Sequence, residues 1–120
     1  MKLINTFLEG ARSLLDDPPQ AMIHAAPRSA AAMARNALEH AMAVHLKGLA
    51  PGSQACDFTT QLIVLQHYMA DKSLARRVAW TWSALSRATH HNGYELPPPR
   101  TDLERWLETV AEFAAAAPRL

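Results

Sequence analysis

Eight prolines and four glycines punctuate this chain, and what they leave between them is of helical length. Proline fixes φ, lacks an N–H and pushes the preceding residue out of the helical region, so it collects at helix ends. Here it falls at Pro18–Pro19, Pro27, Pro51, Pro97–Pro98–Pro99 and Pro118. Ala, Leu, Arg, Met and Glu, all good helix formers, dominate the pieces between. The pattern predicts an all-α fold: one domain over residues 1–120, a bundle of about five antiparallel helices with short connections. A chain of 120 residues that is 49% hydrophobic is too apolar for disorder and long enough to build a core.

The apolar spacing places each helix. Ile4, Leu8, Ala11 and Leu15 make a stripe over a first helix from about Leu3 to Asp16. A second runs from Ser29, a suitable N-cap, to Leu49, with Leu38, Met42, Leu46 and Leu49 inward. A third, from Ser53 or Asp57 to Ala70, carries Phe58, Leu62, Leu65 and Met69 at i, i+4, i+7 and i+11. The fourth opens at Asp71 or Ser73 and continues to about His91, with Leu74, Val78, Trp82 and Leu85 as its stripe. The fifth begins at Thr101-Asp102-Leu103-Glu104, which reads as a capping box, and turns Leu103, Trp106, Val110 and Phe113 inward. The alanine clusters within these pieces read as close packing or as helix filler.

Several function classes are excluded early. One cysteine, Cys56, leaves no disulfide framework and no cysteine-rich zinc module. No apolar run approaches the ~20 residues of a membrane span, and the N-terminus lacks the apolar core of a signal peptide, so a cytoplasmic location is expected. There is no Gly-rich phosphate loop. A net charge of +1 suggests no particular partner, yet it conceals a polarity. From Lys72 to Arg87 there are four bases (Lys72, Arg76, Arg77, Arg87) and no acid; from Glu95 to Glu112 there are five acids and two bases. Either the fourth and fifth helices neutralise each other, or a basic strip steers a phosphate-bearing ligand.

The chemistry concentrates around histidine. Arg87, His90, His91, Asn92 and Tyr94 place a guanidinium, two imidazoles, an amide and a phenol within eight residues at the end of the fourth helix. Trp80, Ala84, Arg87 and His91 fall at i, i+4, i+7 and i+11 and share a face on which the small Ala84 leaves room for a ligand or a partner helix. Histidine exchanges protons near neutral pH, and arginine holds phosphate oxygens with a planar fork. A second grouping, Arg35, Asn36 and His40, lies in the second helix, with Arg35 and His40 about 140° apart around it. His40 with His45, or His90, His91 and Glu95, lack the i, i+4 histidine spacing of helical zinc sites, so no metal is expected.

A short helical bundle whose penultimate helix ends Arg87…His90-His91…Gly93-Tyr94, followed by an amphipathic last helix, resembles the HEPN superfamily (higher eukaryotes and prokaryotes nucleotide-binding). Its members commonly carry Arg, four to six residues, then His, often with a polar residue after the Arg. Here only two residues separate Arg87 from His90, and Ala88 stands in the polar position; the family's spacing occurs instead at Arg35-Asn36 and His40. The resemblance implies a metal-independent ribonuclease of a toxin–antitoxin or phage-defence system, needing no cofactor and working on RNA as a homodimer or with a cognate partner. It implies His90 or His91 as general base on a ribose 2′-hydroxyl, Arg87 as the stabiliser of phosphorane charge, and Asn92 and Tyr94 as positioning groups. The competing expectation is a non-catalytic dimerisation, adaptor or antitoxin-like module, whose faces would carry Trp and adaptable Met side chains such as Met22, Met33, Met42 and Met69.

Overall fold

A computed structural model describes residues 2–90 and 96–117. Five helices appear: α1 (Lys2–Asp16), α2 (Ala26–Leu49), α3 (Phe58–Tyr68), α4 (Lys72–Thr89) and α5 (Arg100–Ala115). Short 3₁₀ turns at Gln20–Met22 and Ser53–Ala55 bridge the first two connections, the second entered through Gly52 at φ 93°, a left-handed conformation that suits glycine.

The starts of α3 and α4 follow the sequence signals. Asp57 accepts from the Thr60 N–H at 2.7 Å and Asp71 from the Leu74 N–H at 3.0 Å, each as an N-cap. Two other starts differ. α2 begins at Ala26 rather than Ser29, with Pro27 in its first turn, where a missing N–H breaks no hydrogen bond. Ser29 is inside the helix, its N–H donating to the Ala25 carbonyl at 3.0 Å. α5 begins at Arg100 after Pro99, and no capping box forms at Thr101. Glu104 pairs instead with Arg100 Nε at 2.8 Å.

Of the chain-neighbour pairs, α1 and α2, α3 and α4, and α4 and α5 run antiparallel, whereas α2 and α3 both oppose α4 and so depart from the antiparallel expectation. Residue pairs such as Phe7 with His40, Phe58 with Trp82 and Arg77 with Glu112 join early positions of one helix to late positions of the next. Arg28, near the start of α2, reaches the end of α4, so α2 opposes α4 as well. α2 and α5, both opposed to α4, therefore run parallel to each other, and His45 near the end of α2 meets Phe113 near the end of α5. α2 is the central helix, packed against the other four.

Alanine makes that position possible. Ala26, Ala30, Ala31, Ala34, Ala37 and Ala41 of α2 are all buried. Interaxial distances of about 8–10 Å depend on the side chains at the contact, so a helix with four neighbours needs short ones. On α1, Gly10 lies under the flexible end of the Met33 side chain, whose Cε would be 2.7 Å from a Cβ there and would have to shift to admit one. Around the alanines, Ile4, Leu8, Leu38, Met42, Leu46, Leu65, Val78, Leu85, Leu103, Leu107, Val110 and Phe113 form one continuous core with contributions from every helix.

Three helix ends are closed by cations from other helices. Arg100 of α5 donates to the Leu15 carbonyl of α1 at 2.9 Å and pairs with Asp16. Lys72 of α4 donates to the Gln66 and His67 carbonyls of α3, both at 2.8 Å. Arg28 of α2 donates to the Ala88 and His90 carbonyls at the end of α4, at 3.4 and 3.3 Å. The last carbonyls of a helix lack internal partners and carry partial negative charge, which these cations complement.

Candidate functional site

The basic strip of α4 splits into two pairs. Lys72 is held by the carbonyls of α3. Arg77 makes a two-pronged bridge to Glu112 of α5 at 2.8 and 2.9 Å, which holds the Glu112 carboxyl below its ordinary range. This is the neutralisation between α4 and α5 that the charge pattern allows, and it uses one base of the four. Arg76 and Arg87 are exposed and make no hydrogen bond or ion pair among the described residues.

Between Arg76 and Arg87 stands Trp80, 79% exposed. The other two tryptophans are half-buried: Trp106 packs on the core, and Trp82 is stacked by Phe58 at 4.8 Å and covered by the Arg35 guanidinium at 5.5 Å. The i, i+2 spacing of Trp80 and Trp82 forces them to different sides of α4, one toward the core and one toward solvent.

Trp80, Ala84 and Arg87 share a face, and three adjoining hollows meet along it. A groove of about 440 Å³ between α4 and α5 is lined by Trp80, Ala84, Trp106, Arg105, Glu108 and Glu112, among others. A second, also about 440 Å³, joins Ala84 and Arg87 to Arg28, Trp106, Pro98 and Asp102. A smaller hollow of about 330 Å³ is lined by Ala79, Trp80, Ser83 and Arg87. Ala84 borders the first two because its short side chain leaves the space between the helices open. Arg87 borders the last two.

Of the residues singled out in the sequence, Arg87 and His90 are both exposed at the end of α4, with His90 as its C-cap residue. His91, Asn92 and Tyr94 lie outside the described residues. The second grouping does not assemble. Arg35 bridges to Glu39 at 3.1 Å and covers Trp82, while His40 stacks on Phe7 of α1 at 5.6 Å between ring centroids, and Asn36 is exposed. The two side chains serve different helix contacts, as their angular separation on α2 requires.

His45 is used differently again. It is 2% exposed, lies flat on the Phe113 ring at 4.1 Å, and its Nε2 sits 2.7 Å from the Phe113 carbonyl oxygen. As a neutral donor it satisfies a carbonyl near the end of α5. Sequence spacing put it beside His40 as a conceivable ligand pair; only the path of α5 shows its role. Among the described residues, no three His, Cys, Asp or Glu side chains gather where they could hold a metal ion, and no helix is long and apolar enough to cross a membrane.

Burial holds the His45 pKa below its ordinary value, with the Phe113 carbonyl partly opposing the shift. The unfolded chain then binds a proton that the folded chain resists, so this histidine's contribution to stability is complete above the unfolded pKa of about 6.5 and is lost as pH falls below it. Urea midpoints measured from pH 8 downward are expected to fall through this window, and the fall is expected to be shallower in His45→Gln. Equal pH slopes in the two proteins would assign the acid sensitivity elsewhere.

Searches against protein-family models, curated proteins and solved structures return no match for this chain.

Proposed function

We propose that the chain is a HEPN-like RNA-directed protein, a metal-independent endoribonuclease of a toxin–antitoxin or phage-defence system, acting at the C-terminal end of α4. The observation that supports this reading best is the position of Arg87. It is exposed, bordered by two hollows, without a partner among the described residues, and one helical turn from His90. An arginine with no carboxylate of its own among the described residues is available to a phosphate.

In this reading His90 or His91 takes the proton from a ribose 2′-hydroxyl. The freed oxygen attacks the adjacent phosphorus, and Arg87 stabilises the charge that develops on the phosphorane oxygens. The P–O5′ bond breaks and the leaving oxygen takes up a proton. The products are a 2′,3′-cyclic phosphate and a free 5′-hydroxyl. The chain works as a homodimer or with a cognate partner.

Incubation with RNA in EDTA is expected to yield these ends, and a substrate with 2′-deoxy sugars is expected to stay intact. Arg87→Ala is expected to lower kcat by about 10²–10³, the usual loss when one transition-state donor is removed. Arg35→Ala and His40→Ala are expected to retain activity. Undiminished cleavage by the His90→Ala/His91→Ala double variant, with an unchanged melting curve, overturns the assignment.

The large exposure of Trp80 beside the groove between α4 and α5 favours a second reading, a non-catalytic dimerisation or adaptor module. Expression of the chain alone separates the two: growth arrest that disappears with Arg87→Ala fits the nuclease, whereas the adaptor leaves growth unchanged.

A further inference from the structure

We propose that the outer face of α4 is a single-strand subsite, in which an unpaired RNA base stacks on the Trp80 indole and flanking phosphates lie on Arg76 and Arg87. This rests on the RNA-directed reading above and names the form of RNA that the site takes.

The face is continuous. Arg76, Trp80, Ser83 and Arg87 fall within about 60° of one another around the helix, with Arg76 about 6 Å before Trp80 along the axis and Arg87 about 10 Å beyond it. All four are exposed. The sequence of groups along the helix is therefore cation, aromatic plate, cation, which matches the alternation of phosphate and base along one strand. The hollow beside the indole is walled by the small Ala79 and Ser83 and ends at Arg87, so nothing bulky on α4 covers that side of the ring. Trp82, by contrast, is already stacked by Phe58 and covered by Arg35, and offers no free face of this kind.

Charge sets the side on which the strand lies. The α5 wall of the neighbouring groove presents Arg105, Glu108 and Glu112; Asp102 pairs with Arg105 and Arg77 with Glu112, which leaves Glu108 as the carboxylate without a partner among the described residues. Phosphates are repelled from that wall and favoured on the Arg76–Arg87 edge, and α4 itself has no acidic residue. Duplex RNA keeps its base faces stacked on one another and cannot offer one to the indole; a single strand can.

The test is fluorescence anisotropy with a labelled 2′-O-methyl RNA, which resists cleavage by 2′-hydroxyl attack, as a single strand and as a duplex of the same sequence. The single strand is expected to bind more tightly. Trp80→Ala is expected to weaken it about 5- to 150-fold, the range for losing one stacked base, and Trp80→Phe to recover part of the loss. Arg76→Gln and Arg87→Gln are each expected to reduce the slope of log affinity against log salt by about 0.7. Tight single-strand binding that is lost in Arg87→Gln but unchanged in Trp80→Ala overturns the subsite and leaves the RNA-directed reading standing. Duplex binding as tight as the single strand also overturns the subsite. Failure of the wild-type protein to bind either form overturns both. A Trp80→Ala protein that loses self-association in sedimentation while keeping its RNA affinity assigns the indole to a contact between copies and overturns the subsite.

Discussion

Replacing Ala34 and Ala37 together by leucine is expected to abolish the native packing of this protein. Both lie in the buried alanine series of α2, the helix that touches all the others. Each leucine adds three carbons where neighbouring helices pack closely. Overpacking of this kind costs about 1–3 kcal/mol per site, through forced rotamers and displaced backbone. Two adjacent sites together reach about 2–6 kcal/mol, against a net stability of about 5–15 kcal/mol for a typical domain. The expected outcome is retained far-UV helicity with loss of near-UV tryptophan signal and of a cooperative melt, the signature of helices that form without fixed packing. Ala43→Leu is the control, since Ala43 is exposed on the same helix. It makes the same chemical change and is expected to shift stability by less than about 0.5 kcal/mol. A cooperative, wild-type-like melt in the double variant would contradict the account of α2 as a helix held at short range by alanine.

Phe113→Ala is expected to be the most damaging single truncation, at about 3–5 kcal/mol. The ring is fully buried and is one of the two stacked rings that join the ends of α2 and α5. Its removal opens a cavity and leaves the His45 imidazole without the surface it packs on, although the Phe113 backbone carbonyl still accepts from it. For a chain of this size each kcal/mol corresponds to roughly 4 °C in Tm, so a fall of about 12–20 °C is expected by circular dichroism. Phe113→Leu, which keeps most of the apolar volume, is expected to recover most of that loss. A Phe113→Ala protein melting within a few degrees of wild type would mean that the junction of α2 and α5 is not a cooperative part of the core.

The helices were legible because period and punctuation agree. Leu38, Met42 and Leu46, or Leu62, Leu65 and Met69, recur at helical spacing and are all buried. Asp57 and Asp71 could be read as caps because their hydrogen bonds are local. Ser29 and Thr101 carry equally good local signals and do not start helices. At those places Pro27 and Pro99 already supply helix-compatible φ, and Arg100 is drawn to α1, a contact no local motif encodes.

The candidate site was partly legible for the same reason. That Trp80, Ala84 and Arg87 share a face follows from helix geometry alone. Which arginines on and around α4 are committed does not: Arg77 goes to Glu112 and Arg28 to the carbonyls of α4, while Arg76 and Arg87 stay exposed without a partner on the described residues. The Arg35 and His40 grouping shows the converse, a family-like spacing whose members serve two separate helix contacts.

By itself, then, the sequence determined the all-α class, the positions of the five helices to within a few residues, and the inward face of each, because these depend on interactions over three or four residues. Tertiary structure alone decided that α2 is central and parallel to α5, that His45 is a buried donor, and that cations from other helices close the ends of α1, α3 and α4. It also decided which tryptophan is bare. Such outcomes join residues far apart in the chain, and a pattern confined to one helix carries no information about which neighbour covers it.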